Sequence, residues 1–101
     1  ELPPVYVTEN GCAYPTAPDA DGVVDDQERI AYYDAHLRAV SDAARAGVDV
    51  RGYYAWSLLD NFEWAEGYTQ RFGLVYVDFD TLQRYPKASY EWYQDVIEAN
   101  A

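Results

Sequence analysis

Apolar residues along this chain keep two rhythms. Pro4 to Thr8 (PVYVT) is a short β-rich run, with Val5, Tyr6 and Val7 favouring an extended backbone. Asn10 to Asp26 then has loop composition, with Gly11, Pro15, Pro18 and Gly22. Beyond it Ile30, Tyr33, Leu37, Val40 and Ala44 recur at spacings of three and four. That spacing puts an apolar face on a helix predicted over about Asp26 to Ala46. Asp25 with Glu28 has the form of a capping box, and Gly47 suits the C-terminal stop. Val48 to Leu59 (VDVRGYYAWSLL) reads as a second strand, running into an aromatic and acidic loop, Asp60 to Gln70. Phe72 to Phe79 (FGLVYVDF) is a shorter extended arm, with Asp80-Thr81 in its turn. Pro86 fits the first position of a last helix, in which Trp92/Val96 and Tyr93/Ile97 are i,i+4 pairs.

The predicted order is strand, helix, strand, arm, helix, within one α/β segment over residues 1–101 and with no internal domain boundary. A strand, a crossover helix and a second strand form a right-handed parallel unit, and both strands then end on one edge of the sheet. Two parallel strands with two helices leave edges unpaired and apolar surface uncovered, so the segment is not expected to fold stably alone. A chain that opens on a strand without Met reads as a piece of something longer.

Composition narrows the function. Half the residues are hydrophobic and 17% aromatic, which excludes disorder. A formal charge of −11 argues against nucleic acid. One Cys and one His exclude an internal disulfide and leave no basis for a zinc site, so neither metal nor cofactor is expected. No apolar run approaches the roughly 18 residues of a membrane span, and no membrane partner is expected. Sparse cysteine leans toward a cytoplasmic setting.

The candidate chemistry sits where the two strands end. Glu9 follows the first strand, and Trp56 closes the second ahead of Glu63 and Trp64. Strand ends are where α/β sheets and barrels gather reactive groups. Two carboxylates and two indoles on one edge suit a sugar, whose C–H faces pack on rings and whose hydroxyls donate to carboxylates. The alternative is an acidic loop capped by buried aromatics.

Val7-Thr8-Glu9-Asn10-Gly11 resembles the nucleophile motif of the family 1 glycoside hydrolases, the retaining β-glucosidase family. Trp56-Ser57-Leu58-Leu59-Asp60-Asn61-Phe62-Glu63-Trp64 resembles that family's sugar-binding signature. The likeness continues through Gly67-Tyr68, Arg71-Phe72-Gly73-Leu74 and Val77-Asp78 to Arg84, Pro86-Lys87 and Trp92-Tyr93. The resemblance implies an eight-stranded (β/α) barrel of which this chain is the last two strand–helix units, about a quarter. The arm at Phe72 to Phe79 would be an excursion between the eighth strand and its helix.

By that resemblance Glu9 is the nucleophile, Trp56 the platform beneath the glycone ring, and Trp64 a donor to the 3-hydroxyl through its indole N–H. Glu63 would bind the 4- and 6-hydroxyls, and its charge would repel the phosphate of 6-phosphoglycosides. Phe72 could line the pocket wall, although core packing suits it better. The family's acid/base glutamate lies in an Asn-Glu-Pro motif, and nothing in these residues matches it. The implied partners are a β-glucoside or oligosaccharide and the remaining barrel, in the same or a separate chain, without which the segment is expected to be inactive. The rival readings are a carbohydrate-binding or interaction module without turnover, and an inert relic.

Other residues carry blander expectations. Asp19, Asp21, Gly22, Asp25 and Glu28 fit a calcium-loop template, but Ala17 holds its first position, and a solvated acidic loop explains them. His36 borders the helical face as a packing or surface residue. Cys12 is a small filler close to Glu9. Asp60 and Asn61 shape their loop, Asp78 caps or pins the arm, and Arg71 is a buried partner for a loop acid.

Overall fold

The computed structural model describes residues 1–100. The first strand, β1, spans Val5–Asn10, followed by α1 at Gln27–Arg45 and β2 at Val50–Ala55. A single 3₁₀ turn, Trp64–Glu66, precedes β3 (Val75–Val77), β4 (Arg84–Pro86) and α2 (Ala88–Ala99). β1 and β2 pair in parallel, as a strand–helix–strand unit dictates, and β3 and β4 form a separate antiparallel hairpin. An isolated parallel bridge between Leu59 and Val75 joins the segment after β2 to β3.

Three elements differ from expectation for local reasons. β1 runs on to Asn10, so Glu9 lies inside the strand's last turn of pleat rather than beyond it. β2 stops at Ala55, because the backbone from Ser57 onward bonds across to the arm: Ser57 N–H to Phe72 O (3.1 Å) and Leu74 N–H to Ser57 O (2.9 Å). Pro86 closes β4 instead of opening α2, whose N-cap is Lys87. The expected capping box is also absent. Asp25 accepts a bond from Gln27 Nε2 (2.7 Å), while Asp26 sits at the N-cap of α1 and turns its carboxylate elsewhere.

The molecule measures 50 × 31 × 19 Å with a radius of gyration of 15.1 Å. About 13 Å is usual for a compact domain of 100 residues, so this shape is open. Few apolar side chains are buried: Val24, Tyr33, Leu74, Val75 and Val77. The sheet instead leaves Tyr6 54% and Tyr54 60% exposed.

The tightest burial is polar. Asp60 receives Gly73 N–H (2.9 Å) and Lys87 Nζ (3.1 Å) on one oxygen, and Arg71 (2.7 Å) and Val77 N–H (3.3 Å) on the other. Arg71 is the partner for a loop acid that the sequence led us to expect, and its guanidinium lies over the Tyr76 and Phe79 rings at 4.0 and 4.6 Å. Gly73 must be glycine, since a Cβ there would stand 2.3 Å from the Asp60 nitrogen. Asp26 pairs with Arg29 and accepts Ser89 N–H (2.9 Å) and Ser89 Oγ–H (2.6 Å), satisfying the open amide end of α2 from 63 residues away. Asp78 does cap the arm's turn, accepting the N–H groups of Asp80 and Thr81.

Replacing Asp60 by Ala strands Arg71 and Lys87 as uncompensated charges, and is expected to cost about 3–5 kcal/mol. Urea unfolding checks this, and a loss under about 1 kcal/mol would remove Asp60 as the junction. Burial and the Arg29 charge lower the Lys87 ammonium to about 8 from 10.5, against the opposing pull of Asp60 and Asp26. Between those values the unfolded chain binds the extra proton, so stability should rise with pH from about 8. Above pH 10 the trend reverses, because burial raises Tyr33, Tyr53 and Tyr93 and the unfolded chain loses its phenol protons first. Lys87→Met should abolish the rise between pH 8 and 10 in denaturant midpoints measured across that range.

Candidate functional site

The parallel pairing brings the C-terminal ends of β1 and β2 to one edge. Trp56 N–H donates to Asn10 O at 2.7 Å, directly joining the residue after Glu9 to the first residue past β2. Tyr33, fully buried on α1, donates its hydroxyl to Trp56 O at 3.0 Å. Gly11 packs against the same carbonyl so closely that a Cβ would fall 1.9 Å from the oxygen. Any other residue at position 11 would drive the two strand ends apart. The Trp56–Ser57 peptide is cis.

The Trp56 indole then reaches forward, with Nε1–H donating to Glu63 Oε1 at 3.0 Å. Glu63 is held in turn by its backbone, N–H to Gly67 O at 2.7 Å. Asn61 braces the loop as expected, donating to Ser57 Oγ (3.0 Å) and Leu59 O (2.9 Å). Trp64 lies 83% exposed with φ of 46°, a left-handed conformation rare for a bulky residue. Phe72 is half-buried, and its carbonyl anchors Ser57.

Trp56 and Glu63 are thus brought into direct contact. Glu9 and Trp64 are not: among the described residues neither side chain has a hydrogen-bond or ion-pair partner, and both face solvent. Glu9 owes its outlook to an irregularity. Between Val7 and Asn10 the first strand advances three residues while its partner advances two, Tyr53 to Ala55. This is a β-bulge, a device that re-aims a side chain, and both Thr8 and Glu9 emerge on the exposed face. Burial pushes the half-buried Cys12 thiol up, which makes it a poor nucleophile.

Reading the sequence missed the Asn10 side chain. Its amide donates to Tyr32 Oη (3.1 Å) and its carbonyl oxygen accepts from Tyr53 Oη (2.6 Å). The tyrosines lie 22 and 43 residues away, so no local spacing signals the contact.

The family model for glycosyl hydrolase family 1 matches residues 1–101. The chain belongs to that family. It is 52% identical over 98 residues to beta-glucosidase A of Thermotoga maritima, covering 97% of this chain and 22% of that protein. It is 49% identical over 96 residues to a 6-phospho-beta-galactosidase of Staphylococcus haemolyticus, covering 94% of this chain and 20% of the relative. The structure of the Thermotoga maritima beta-glucosidase in complex with deoxynojirimycin superposes with a TM-score of 0.96 at 52% identity, over 98% of this chain and 22% of that one. The chain therefore spans about a fifth of the length of these relatives. Its fold is the matching part of a (β/α)8 barrel, with β1–α1 and β2–α2 as successive units and the β3–β4 hairpin as the excursion between β2 and its helix.

Gly11→Ala should destabilise this edge by about 1–3 kcal/mol or more, because Trp56 O cannot yield without breaking its bond from Tyr33. Near-ultraviolet circular dichroism of Trp56, together with the urea midpoint, checks this. An unchanged spectrum would show that the close approach is not needed.

Proposed function

We propose that this chain supplies the nucleophile and the glycone-binding residues of a retaining β-glycosidase acting on non-reducing terminal β-D-glucosyl or related residues. It is inactive without the rest of the barrel, which brings the acid/base glutamate. One observation carries the reading. Glu9 stands exposed on a bulge at the strand end bonded to Trp56, whose indole holds Glu63. The left-handed Trp64 adds support, since backbone strain of this kind gathers at ligand sites.

In the proposed reaction the Glu9 carboxylate attacks the anomeric carbon, and the bond from C1 to the aglycone oxygen breaks. The partner carboxylic acid gives its proton to that departing oxygen. A glycosyl ester on Glu9 results. Water then attacks C1 and yields a proton to the same partner carboxylate, and Glu9 leaves as an anion. The two carboxyls belong about 5–5.5 Å apart.

Trp56 lies under the glycone ring, Trp64 donates to the 3-hydroxyl, and Phe72 borders the wall. Glu63 already accepts one bond from Trp56, which fixes the carboxylate and leaves lone pairs for the 4- and 6-hydroxyls. Its negative charge favours neutral sugars over 6-phosphoglycosides. Overall identity does not separate these classes, because relatives of both kinds match the chain about equally.

The test is a chimera in which this chain replaces the matching segment of the Thermotoga maritima enzyme, assayed with an aryl β-glucoside. Turnover is expected, and Glu9→Gln should lower it by on the order of a thousandfold or more. Full activity after that substitution would take the nucleophile role from Glu9, and hydrolysis by the lone 101-residue chain would overturn its dependence on the barrel. Glu63→Ser should cut kcat/KM for the neutral glucoside by roughly ten- to a hundredfold, the worth of charged hydrogen bonds, and raise it for the 6-phosphoglucoside. An unchanged preference would remove Glu63 as the discriminator.

A further inference from the structure

The bulge in β1 poses a problem that the residues discussed so far do not solve. The two strands slip by one residue between Val5 and Tyr6 and slip back between Val7 and Asn10, and loss of that second slip would send every side chain after Val7 to the opposite face. Sliding here would turn Glu9 toward α1 and Asn10 outward. Val5, Val7, Asn10 and Tyr53 now share a groove with His36, Ala39 and Val40 of α1, so Asn10 stands on the same face as Val7 despite the odd spacing. Something must hold it there.

We propose that Tyr53 and Tyr32 are positioning residues for Glu9, clamping the Asn10 side chain so that the bulge keeps the Glu9 carboxylate on the open face. The proposal rests on the nucleophile role given to Glu9 above. Tyr53 lies directly opposite Val7 in the parallel register, and its hydroxyl reaches forward across the bulge to Asn10 Oδ1 at 2.6 Å. Tyr32 takes the other half of the amide from the helix side, accepting from Nδ2 at 3.1 Å, and its ring is stacked on His36 with centroids 3.9 Å apart. An asparagine turned outward by a slip would forfeit both bonds.

The same clamp reaches the sugar platform. The Asn10 backbone carbonyl accepts Trp56 N–H, so fixing Asn10 sets the outlook of Glu9 and the seat of Trp56 together. Burial keeps the Tyr53 phenol protonated well into the alkaline range, and it remains a donor at any working pH.

The experiment uses the same chimera with Tyr53→Phe, Tyr32→Phe and the double variant. Tyr85→Phe, in the hairpin, serves as a control. Four quantities are read: kcat, KM, melting temperature, and the rate at which an activated 2-fluoroglucoside esterifies Glu9. Tyr53→Phe should slow kcat and esterification by about tenfold to a hundredfold, as expected for a misplaced reacting group, with KM within about twofold. The double variant should be slower still, and Tyr85→Phe should match the parent. Parental esterification in the double variant, whatever its melting temperature, overturns the clamp. So does a parallel loss of KM and stability without a specific loss of kcat. If Glu9→Gln abolishes esterification while Tyr53→Phe leaves it intact, the clamp alone fails. If Glu9→Gln still turns over at the parental rate, the underlying nucleophile reading fails.

Discussion

A buried carboxylate surrounded by donors does for this chain what an apolar core does for most. Asp60 is encircled by two backbone N–H groups, a lysine and an arginine, drawn from the arm, β3 and the start of α2. Asp26 does the same for the first turn of α2, through Ser89, and for Arg29, which reaches on to Arg71 O at 2.8 Å. The two clusters meet through Arg29 and Lys87, both fully buried. Such networks are costly to break and specific in geometry, because every partner must be present for any of the charges to tolerate burial.

This arrangement explains how a segment with so little closed apolar core still holds its aromatic and acidic loop in one shape. The loop from Asn61 to Gln70 leaves the polar junction at Asp60 and returns to it at Arg71, so its ends are fixed by the same carboxylate. Glu63 and Trp64 ride on that closed loop, and Trp56 is tied to it by the indole bond. The apolar part of the structure is different in kind. Its sheet faces outward with Tyr6 and Tyr54, as befits one sector of a barrel.

How much of this could be read from sequence follows from the range of the interactions. The period of α1 placed that helix within one residue at each end, since amphipathic spacing is a local property. The same-edge placement of the two strand ends also followed from one rule of handedness. Pro86 misled because the signal for a helix start equally suits the end of a short edge strand, and β4 is only three residues long. Asp25 and Glu28 had the right spacing for a cap, yet the neighbouring Asp26 serves a helix 63 residues distant. The roles of Asn10 and Lys87 were illegible for the same reason, as their partners are set by the fold and not by the neighbourhood.

The two-stranded sheet has further physical meaning. Its order is simply β1–β2, so each strand presents one rim of backbone groups that nothing else in the described chain engages. Such rims invite a second molecule to join edge to edge. A formal charge of −11 on 101 residues supplies long-range repulsion between copies, the simplest colloidal safeguard for a sheet left ajar. Acidification or high salt strips that safeguard, and would let the molecules zip into assemblies along those rims.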